Sequence, residues 1–192
     1  MLLVDDSPDV SGSQVDLIAE VRFYRANERP YGPFSNLFRC SVDFKGVTYP
    51  TAEHAYQAGK AAKPDVRDWI LAAPTPALAA MAAHGLYTWD VVPNWADIKF
   101  DRMRGVLWAK FTQHPHLRTL LLSTGTTRIV ETATVNNAVN RLWGEVNGKG
   151  QNMLGNMLME LRQSLSDGLT ENLERVSPTN YSLNLMQPNS PE

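Results

Sequence analysis

Prolines and glycines divide the central part of the chain into short helices. Pro64, Pro76 and Pro115 each open a stretch of helical character, and proline is tolerated there because the first N–H groups of a helix have no partner within it. Gly85 and Gly125 follow two of these stretches, as residues that end helices commonly do. Helices are therefore predicted over the ranges 64–73, 76–84 and 115–124.

Three further helices are predicted from caps and apolar spacing. Thr51 is a good N-cap for a helix that continues to about Ala62. A helix from about Trp95 to Thr112, the longest predicted, and a last helix that begins at about Asn152 carry apolar residues at helical spacing. These apolar positions are Trp95, Ile98, Met103, Val106, Leu107 and Phe111 in the first and Leu154, Met157, Leu158, Leu161 and Leu165 in the second.

Short strands are predicted near the N-terminus and late in the chain. Apolar and polar residues alternate over 40–44 and 47–49 on either side of a Lys-Gly turn, which is typical of a hairpin. The segments EVRFY (20–24) and RIVETAT (128–134) are further strand candidates. Because strands and helices do not alternate, the pattern disfavours a doubly wound nucleotide-binding fold.

A single domain is predicted over residues 20–166, mainly α with a small antiparallel β element (α+β). The polar, turn-rich stretches on either side, 1–19 and 167–192, are expected to be flexible extensions. With 43% hydrophobic and 20% charged residues and a net charge of -2, the composition does not indicate binding to duplex nucleic acid or to an anionic membrane. One cysteine, no signal peptide pattern and no apolar run of ~20 residues predict a cytoplasmic protein without a membrane partner.

The familiar nucleotide and metal motifs are missing from the sequence. It contains no P-loop, no G-x-G-x-x-G and no G-x-S-x-G. The four histidines have no metal-ligand spacing with one another or with the cysteine. We therefore predict neither a metal ion nor a cofactor, and the sequence gives no indication of the oligomeric state.

The stretch YPTAEHAYQAGK places Glu53, Gln57 and Lys60 at positions i, i+4 and i+7 of a predicted helix. One interpretation is a solvated face with an acid near the positive end of the helix dipole, and spacing alone favours it. The other is a functional site. The helix is rich in alanine and contains Gly59, which costs ~1 kcal/mol relative to alanine, so that packing or a ligand must offset the cost.

Two other segments combine residues that suit a nucleotide. In NRLWGEVNGKGQN (140–152), glycines precede a helix that Asn152 can cap, and free N–H groups there could bind a phosphate, although most such turns are only turns. Trp143 is either a core residue or a stacking platform for a base. FYRANERPYGPFSNLF, with Tyr24 and Arg25, suits either a nucleotide or an aromatic minicore with solvated arginines.

Taken in order, the segments of the chain resemble the NADAR family, also called YbiA-like, whose members are associated with NAD and ADP-ribose metabolism. The resemblance rests on P-T-x-E-H-x-x-Q-x-x-K-A and on W-G followed by G-x-N-x-L-G-x-x-L-M-x-x-R, and it covers roughly Phe23 to Leu165. It implies a mostly helical fold and hydrolysis of an N-glycosidic bond. Described members remove ADP-ribose from modified guanine in nucleic acid, or cleave phosphorylated ribosyl intermediates of riboflavin synthesis.

The resemblance implies that the glutamate of the family motif, here Glu53, is catalytic. A carboxylate can stabilise the oxocarbenium character that develops at the anomeric carbon, or activate the attacking water. The expected partners are an ADP-ribose-containing or ribosyl-phosphate substrate and, for the first activity, ADP-ribosylated DNA. The residues expected to shape the substrate pocket are Tyr24, Arg25, Asn36, His54, Gln57, Lys60, Trp95, Lys99, Trp143, Gly144, Gly150 and Asn152.

The chain departs from the family pattern at a second catalytic position. Asn140 stands three residues before the W-G pair, where the family commonly has an aspartate, and AAHGLY stands where members tend to carry a Gly-Arg pair. An asparagine can orient a ribose hydroxyl but cannot act as a carboxylate base. Three alternatives follow: the second acid is dispensable, Glu131 or Glu145 replaces it, or the chain is an ADP-ribose or NAD binding module without efficient turnover.

Overall fold

The computed structural model describes the backbone of residues 20–176 and the side chains of residues 20–168. The predicted extension at 1–19, and residues 177–192 of the predicted C-terminal tail, lie outside the described residues. The strands are β1 (Glu20–Phe23), β2 (Val42–Phe44), β3 (Val47–Tyr49), β4 (Arg128–Ala133) and β5 (Glu145–Val146). The helices are α1 (Ala52–Ala58), α2 (Pro64–Leu71), α3 (Pro76–His84), α4 (Trp95–Gln113), α5 (Pro115–Leu122), α6 (Ala138–Trp143) and α7 (Met153–Val176).

The predicted mainly α fold with a small antiparallel element is confirmed. Strands β2 and β3 form the antiparallel hairpin, with Val42 opposite Tyr49, around a turn in which Lys45 and Gly46 have φ values of 52° and 78°. The three helices opened by proline are present, each within two residues of its predicted bounds.

A second, parallel sheet has the strand order β1, β4, β5 and was not predicted. The strand predictions at 20–24 and 128–134 are confirmed, and these two strands pair in parallel, with Val21 opposite Ile129. Strand β4 then pairs with β5 through Thr132 and Glu145, and the short helix α6 connects them. The central strand β4 is buried at Ile129 and Val130 and becomes more accessible from Glu131 to Ala133, where it pairs with β5.

The main core lies between this sheet and the helices α4, α5 and α7. Helix α7 packs on β4 with the apolar stripe predicted from its spacing, including the buried residues Leu154, Leu158 and Leu161. With 24 residues it is the longest described helix, so the prediction that the helix at 95–112 is longest was wrong; α4 has 19 residues. Helix α7 also continues beyond residue 166, to Val176.

Helix α1 ends at Ala58, earlier than the predicted Ala62, because Arg102 from α4 caps it. The Arg102 guanidinium donates to the carbonyls of Ala55, at 2.5 Å and 2.9 Å, and Tyr56, at 3.2 Å. A Cβ atom at Gly59 would lie 1.9 Å from Arg102 Nε, which explains the glycine. The alanines of α1 allow the hairpin and α4 to pack closely against it. Lys60 is consequently in the turn after the helix and not on its face.

Lys110 is fully buried, at 0% exposure, although its side chain carries an ammonium group. Its Nζ donates hydrogen bonds to the carbonyl oxygens of Pro33 at 2.6 Å and Ser35 at 2.8 Å. Burial lowers the pKa of Lys110 to about 8, and the neighbouring Cys40 has a smaller, opposite effect. These hydrogen bonds fix the segment that leads into Asn36, although burying the ammonium group costs free energy.

Lys110→Met should change how stability depends on pH. In the wild type, Lys110 loses its proton near pH 8 when folded but only near its ordinary pKa of about 10.4 when unfolded. The unfolded state binds more protons in that window, so the free energy of unfolding should rise with pH, by at most about 3 kcal/mol from this group. The variant should lack that rise. Urea titrations at several pH values between 7 and 10.5 measure it.

Lys110→Arg is the matched control because it keeps a charged donor that does not titrate in this range. It should lack the rise as Lys110→Met does, while retaining more of the hydrogen bonding to the two carbonyls. Parallel curves for the wild type and Lys110→Met across the whole pH range would contradict the prediction.

Candidate active site

A cavity of about 430 Å³ lies between the end of the parallel sheet and helices α1, α3 and α4. We call its two sides the helix wall and the sheet wall. The helix wall consists of Glu53, Tyr56, Gln57, Lys60, Ala80, His84, Lys99 and Met103. The sheet wall consists of Tyr24, Glu131, Thr132, Ala133, Thr134, Val135, Val139, Asn140, Leu142 and Trp143. The segment 35–37 closes the space between them.

Glu53 lies in the first turn of α1, with its carboxyl group facing the cavity. Thr51 caps this helix by accepting the His54 N–H at 3.3 Å, and the Glu53 N–H donates to the Asn36 carbonyl at 3.1 Å. The carboxylate accepts a hydrogen bond of 2.7 Å from Gln57 Nε2. Burial raises the pKa of Glu53, and the Gln57 hydrogen bond opposes that rise by stabilising the charged form. Glu53 and Gln57, four residues apart on α1, therefore form a hydrogen-bonded polar pair that is partly shielded from solvent.

Glu131 projects into the same cavity from β4. Its backbone N–H donates to Asn152 Oδ1 at 3.0 Å, which fixes the strand at this point. Burial, and secondly the negative charge of Glu53, raise the pKa of Glu131 to about 8. The hydrogen bond from Gln57 favours the charged form of Glu53, and the negative charge of Glu53 favours the protonated form of Glu131.

Among the alternatives for a second acid, Glu131 is the one that shares the cavity with Glu53. Glu145 is buried and forms an ion pair with Arg128, and it does not line the cavity. Asn140 does line the cavity, but its side-chain nitrogen donates to the Val135 carbonyl at 2.7 Å. Asn140 thereby fixes the loop between β4 and α6, a bond that an ionised aspartate could not donate.

Three basic side chains line the helix wall. Lys60 donates to the Ala83 carbonyl at 2.7 Å, and burial lowers its pKa. His84 ends α3, and burial followed by the positive charge of Lys60 lowers its pKa. Lys99 lies over the ring of Phe100, with Nζ 4.8 Å from the centroid. Lys60 and Lys99 give the helix wall a positive character that suits an anionic substrate group, and His84, whose pKa is lowered, contributes a hydrogen-bonding ring rather than a charge at neutral pH.

Trp143 packs against the main core and also lines the cavity. Its ring packs edge-on to Tyr56 at 5.5 Å and at a tilt on Phe100 at 5.7 Å, and it also forms part of the sheet wall. Tyr24 lies at the rim, 37% exposed, and its hydroxyl is 3.1 Å from Thr134 Oγ1. The cavity therefore offers aromatic surface at its base and at its rim.

Comparison with known proteins decides the family, because residues 22–166 match the NADAR domain. The chain belongs to the NADAR family. It is 40% identical over 147 residues to N-glycosidase YbiA of Shigella boydii, an alignment that covers 76% of this chain and 88% of that protein. It is also 31% identical over 154 residues to the riboflavin biosynthesis protein VVA0006 of Vibrio vulnificus, covering 80% of this chain and 40% of that protein.

A solved structure agrees with the family assignment. The NMR structure of the Escherichia coli protein YbiA superposes with a TM-score of 0.69 at 37% identity, covering 80% of this chain and 92% of the other. The resemblance inferred from the sequence motifs is confirmed, and with it the single-domain YbiA-like fold.

The NADAR chain places eight of the predicted site residues at the cavity, namely Tyr24, Asn36, Glu53, Gln57, Lys60, Lys99, Asn140 and Trp143. Arg25 is outside it but stacks on Tyr24, with its guanidinium carbon 5.7 Å from the ring centroid. Trp95 packs behind the cavity, 5.2 Å from the Tyr56 ring. His54 is directed away from it, since its ring nitrogens lie 2.8 Å from Thr51 Oγ1 and 3.1 Å from the Ala73 carbonyl.

Gly144, Gly150 and Asn152 do not line the cavity, contrary to their expected place in the substrate pocket. A Cβ atom at Gly150 would lie 2.0 Å from the Gly144 carbonyl, and one at Gly144 would lie 2.4 Å from the Glu131 carbonyl. Asn152 is buried and joins α7 to β4, because its side-chain nitrogen also donates to the Ile129 carbonyl at 2.8 Å. These residues have a packing role that supports the backbone of Glu131.

Several cavity residues were not among the predicted pocket residues. Glu131 was considered only as a replacement acid, and His84, Met103, Val135 and Val139 were not considered. The sequence signal that could have identified Glu131 as a pocket residue is its position near the carboxyl end of a predicted strand, because such ends commonly carry site residues.

The described part of the NADAR chain gives no sign of a metal centre or a membrane span. Among residues 20–168, no group of three His, Cys, Asp or Glu side chains is arranged to hold a metal ion. None of the described helices is long and apolar enough to cross a bilayer.

Proposed function

We propose that this NADAR chain hydrolyses the N-glycosidic bond between a ribose and a base, with Glu53 and Glu131 as its two catalytic carboxyl groups. The enzyme class, a hydrolase acting on N-glycosyl compounds, follows from the family and from relatives named N-glycosidases. The observation that carries the proposal is one cavity lined by two carboxyl groups in different surroundings: Glu53 accepts a hydrogen bond from Gln57, and burial together with the charge of Glu53 raises the pKa of Glu131 to about 8. Such a pair supplies an acid and a base at the same pH.

In the proposed reaction, Glu131 is the acid. It donates its proton to the departing base nitrogen as the bond from that nitrogen to the anomeric carbon breaks. The electron pair of the bond leaves with the base, and the positive charge that develops on the ribose faces the Glu53 carboxylate. Water then bonds to the anomeric carbon and passes its proton to Glu53. A proton transfer back to Glu131 restores the pair, and the products are the hydrolysed sugar and the protonated leaving base, which stays in the nucleic acid when the substrate is a modified nucleic acid.

Other groups hold the Glu53 carboxyl group in the position that this reaction requires. Gln57 holds one carboxylate oxygen at 2.7 Å, which leaves the other oxygen for the substrate or water. The Asn36 carbonyl anchors the Glu53 backbone, and the Asn36 amide lies beside Met103 with its nitrogen 3.2 Å from Sδ. Because these partners lie on different elements, the carboxylate has little freedom to move, as a preorganised electrostatic site demands.

For the substrate, we propose ADP-ribose attached to guanine in nucleic acid. Lys60, His84 and Lys99 on the helix wall are suited to the phosphates of ADP-ribose. Tyr24 at the rim and Arg25 just outside the cavity provide an exposed aromatic and cationic surface that continues beyond the cavity, which favours a substrate larger than the cavity itself.

A phosphorylated ribosyl intermediate of riboflavin synthesis is the second candidate. It is favoured by the similarity to a Vibrio vulnificus protein named for riboflavin biosynthesis. Such a substrate has one ribosyl phosphate and would need only the cavity and part of its basic wall.

Incubation of the full chain with both substrates, followed by mass spectrometry, tests the proposal. Release of free ADP-ribose from an oligonucleotide with ADP-ribosylated guanine is the expected result. Release of a ribose phosphate from the riboflavin intermediate alone would establish the second candidate. Tight ADP-ribose binding in calorimetry, with no product from either substrate after long incubation, would show a binding module and overturn the catalytic proposal.

A further inference from the structure

The two walls of the cavity differ in charge and polarity. All three basic side chains of the cavity, Lys60, His84 and Lys99, belong to the helix wall. The described residues of the sheet wall include no basic side chain, and two of their exposed members, Val135 and Val139, are apolar. Val135 and Val139 are the most exposed apolar members, at 61% and 46%. A substrate with one anionic end and one planar, uncharged end would therefore bind in a single direction.

Strand β4 relates the sheet wall to the scissile bond. Side chains alternate along a strand, so Glu131 and Ala133 face the same side, about 6.6 Å apart along the strand at 3.3 Å per residue. Val135 follows Ala133 at the rim, and all three line the cavity. If Glu131 protonates the departing nitrogen, the base must begin beside Glu131 and extend along this line of residues toward the rim.

The loop that carries the valines is held in a fixed shape. Asn140 donates to the Val135 carbonyl at 2.7 Å, and the Asn140 N–H donates to Asn137 Oδ1 at 2.8 Å. The hydroxyls of Tyr24 and Thr134, 3.1 Å apart, join the same loop to the end of β1. Two exposed valines on a loop with this many hydrogen bonds form, together with Tyr24 on the same wall, a rigid rim surface that we call the apolar slot.

We infer that the leaving base binds in this slot, against Tyr24 and the valines Val135 and Val139, while the phosphorylated arm of the sugar points to the helix wall. The inference rests on the proposed function and specifies its substrate orientation. Valine side chains contact the flat face of a ring but form no hydrogen bonds with its edge. The slot consequently selects a planar base by its shape. The difference in charge between the two walls, rather than hydrogen bonds to the edge of one particular base, sets the direction of binding.

Binding measurements in a Glu53→Gln background test the orientation without depending on turnover. Calorimetry compares guanosine 5′-monophosphate, which has a base, with ribose 5-phosphate, which has none. Adding Val135→Asn and Val139→Asn should weaken guanosine monophosphate binding about 10-fold, the scale of lost apolar contacts, and leave ribose 5-phosphate binding unchanged. Both substitutions are neutral, so they do not alter the field at the phosphate.

Val47→Asn is the matched control, because Val47 is also exposed, at 36%, but lies on β3 and does not line the cavity. It should change neither affinity. Equal weakening of both ligands by the double substitution, unchanged guanosine monophosphate binding, or no guanosine monophosphate binding in the parent would each overturn the proposed orientation. Turnover by the wild type is measured separately, so a failure of the catalytic proposal remains distinguishable.

Discussion

Glu53→Gln should reduce turnover by about 10³-fold while leaving the fold intact. An amide has nearly the shape of the carboxylate but carries no negative charge to face the oxocarbenium ion and cannot accept the proton of the attacking water. Its oxygen can still accept the hydrogen bond that Gln57 now donates at 2.7 Å, so the local structure should persist. Removing a buried charge also removes its desolvation cost.

The measurement is kcat and kcat/KM on the substrate that the wild type turns over, together with a thermal unfolding curve for each protein. Glu160→Gln is the matched control, because this exposed glutamate on α7 pairs with Arg104 and does not line the cavity. The control should retain wild-type rates. Full activity of Glu53→Gln would remove Glu53 from the mechanism.

Glu131→Gln should have the second largest effect, a loss in kcat of about 10²-fold or more, because the departing base loses its proton donor. The pKa of Glu131, raised to about 8, means that the acid is protonated below that pH and is lost as the pH rises through it. The wild-type rate should therefore fall on the alkaline side with an apparent pKa near 8 that belongs to the carboxyl pair. The variant should keep a low rate without that alkaline fall.

The pH profile of kcat/KM from 5 to 10 distinguishes this role from a merely structural one. The Glu131→Gln/Asn140→Asp double variant is the companion experiment, since it restores a carboxyl group at the position where the family commonly has an aspartate. We expect no recovery, because the backbone N–H of residue 140 remains anchored to Asn137 Oδ1, and the carboxyl group that interacts electrostatically with Glu53 is that of Glu131. An unchanged alkaline fall in Glu131→Gln, or recovery in the double variant, would contradict the assignment of Glu131 as the acid.

Local chemistry in the sequence was sufficient to predict most of the helices and the hairpin. Proline at the start of α2, α3 and α5, and the Lys45-Gly46 turn, act within a few residues and do not depend on the rest of the chain. The parallel pairing of β1 with β4 could not be predicted this way. It joins Val21 to Ile129 across most of the domain, and neither strand contains a signal for its partner.

The candidate site shows the same division between local and long-range causes. Glu53 and Gln57 form the pair that their spacing allows, but Arg102, from a different helix, ends α1 before Lys60. Spacing alone favoured a solvated face, and the family motif was needed to identify Glu53 as the catalytic candidate. Glu131 could be named only as one alternative, because its proximity to Glu53 results from where β4 ends in the fold.

The shortness of helix α1 affects which molecules in a sample can be active. It has seven residues, whereas isolated helices below ~12–15 residues are marginal in water. Its first turn is held by the Asn36 carbonyl and its last by the Arg102 guanidinium, so it has little stability outside the assembled domain. A partly unfolded molecule that has lost either contact would lack a defined position for Glu53. Catalytic competence should therefore be cooperative with folding, and each molecule should carry either a complete site or none.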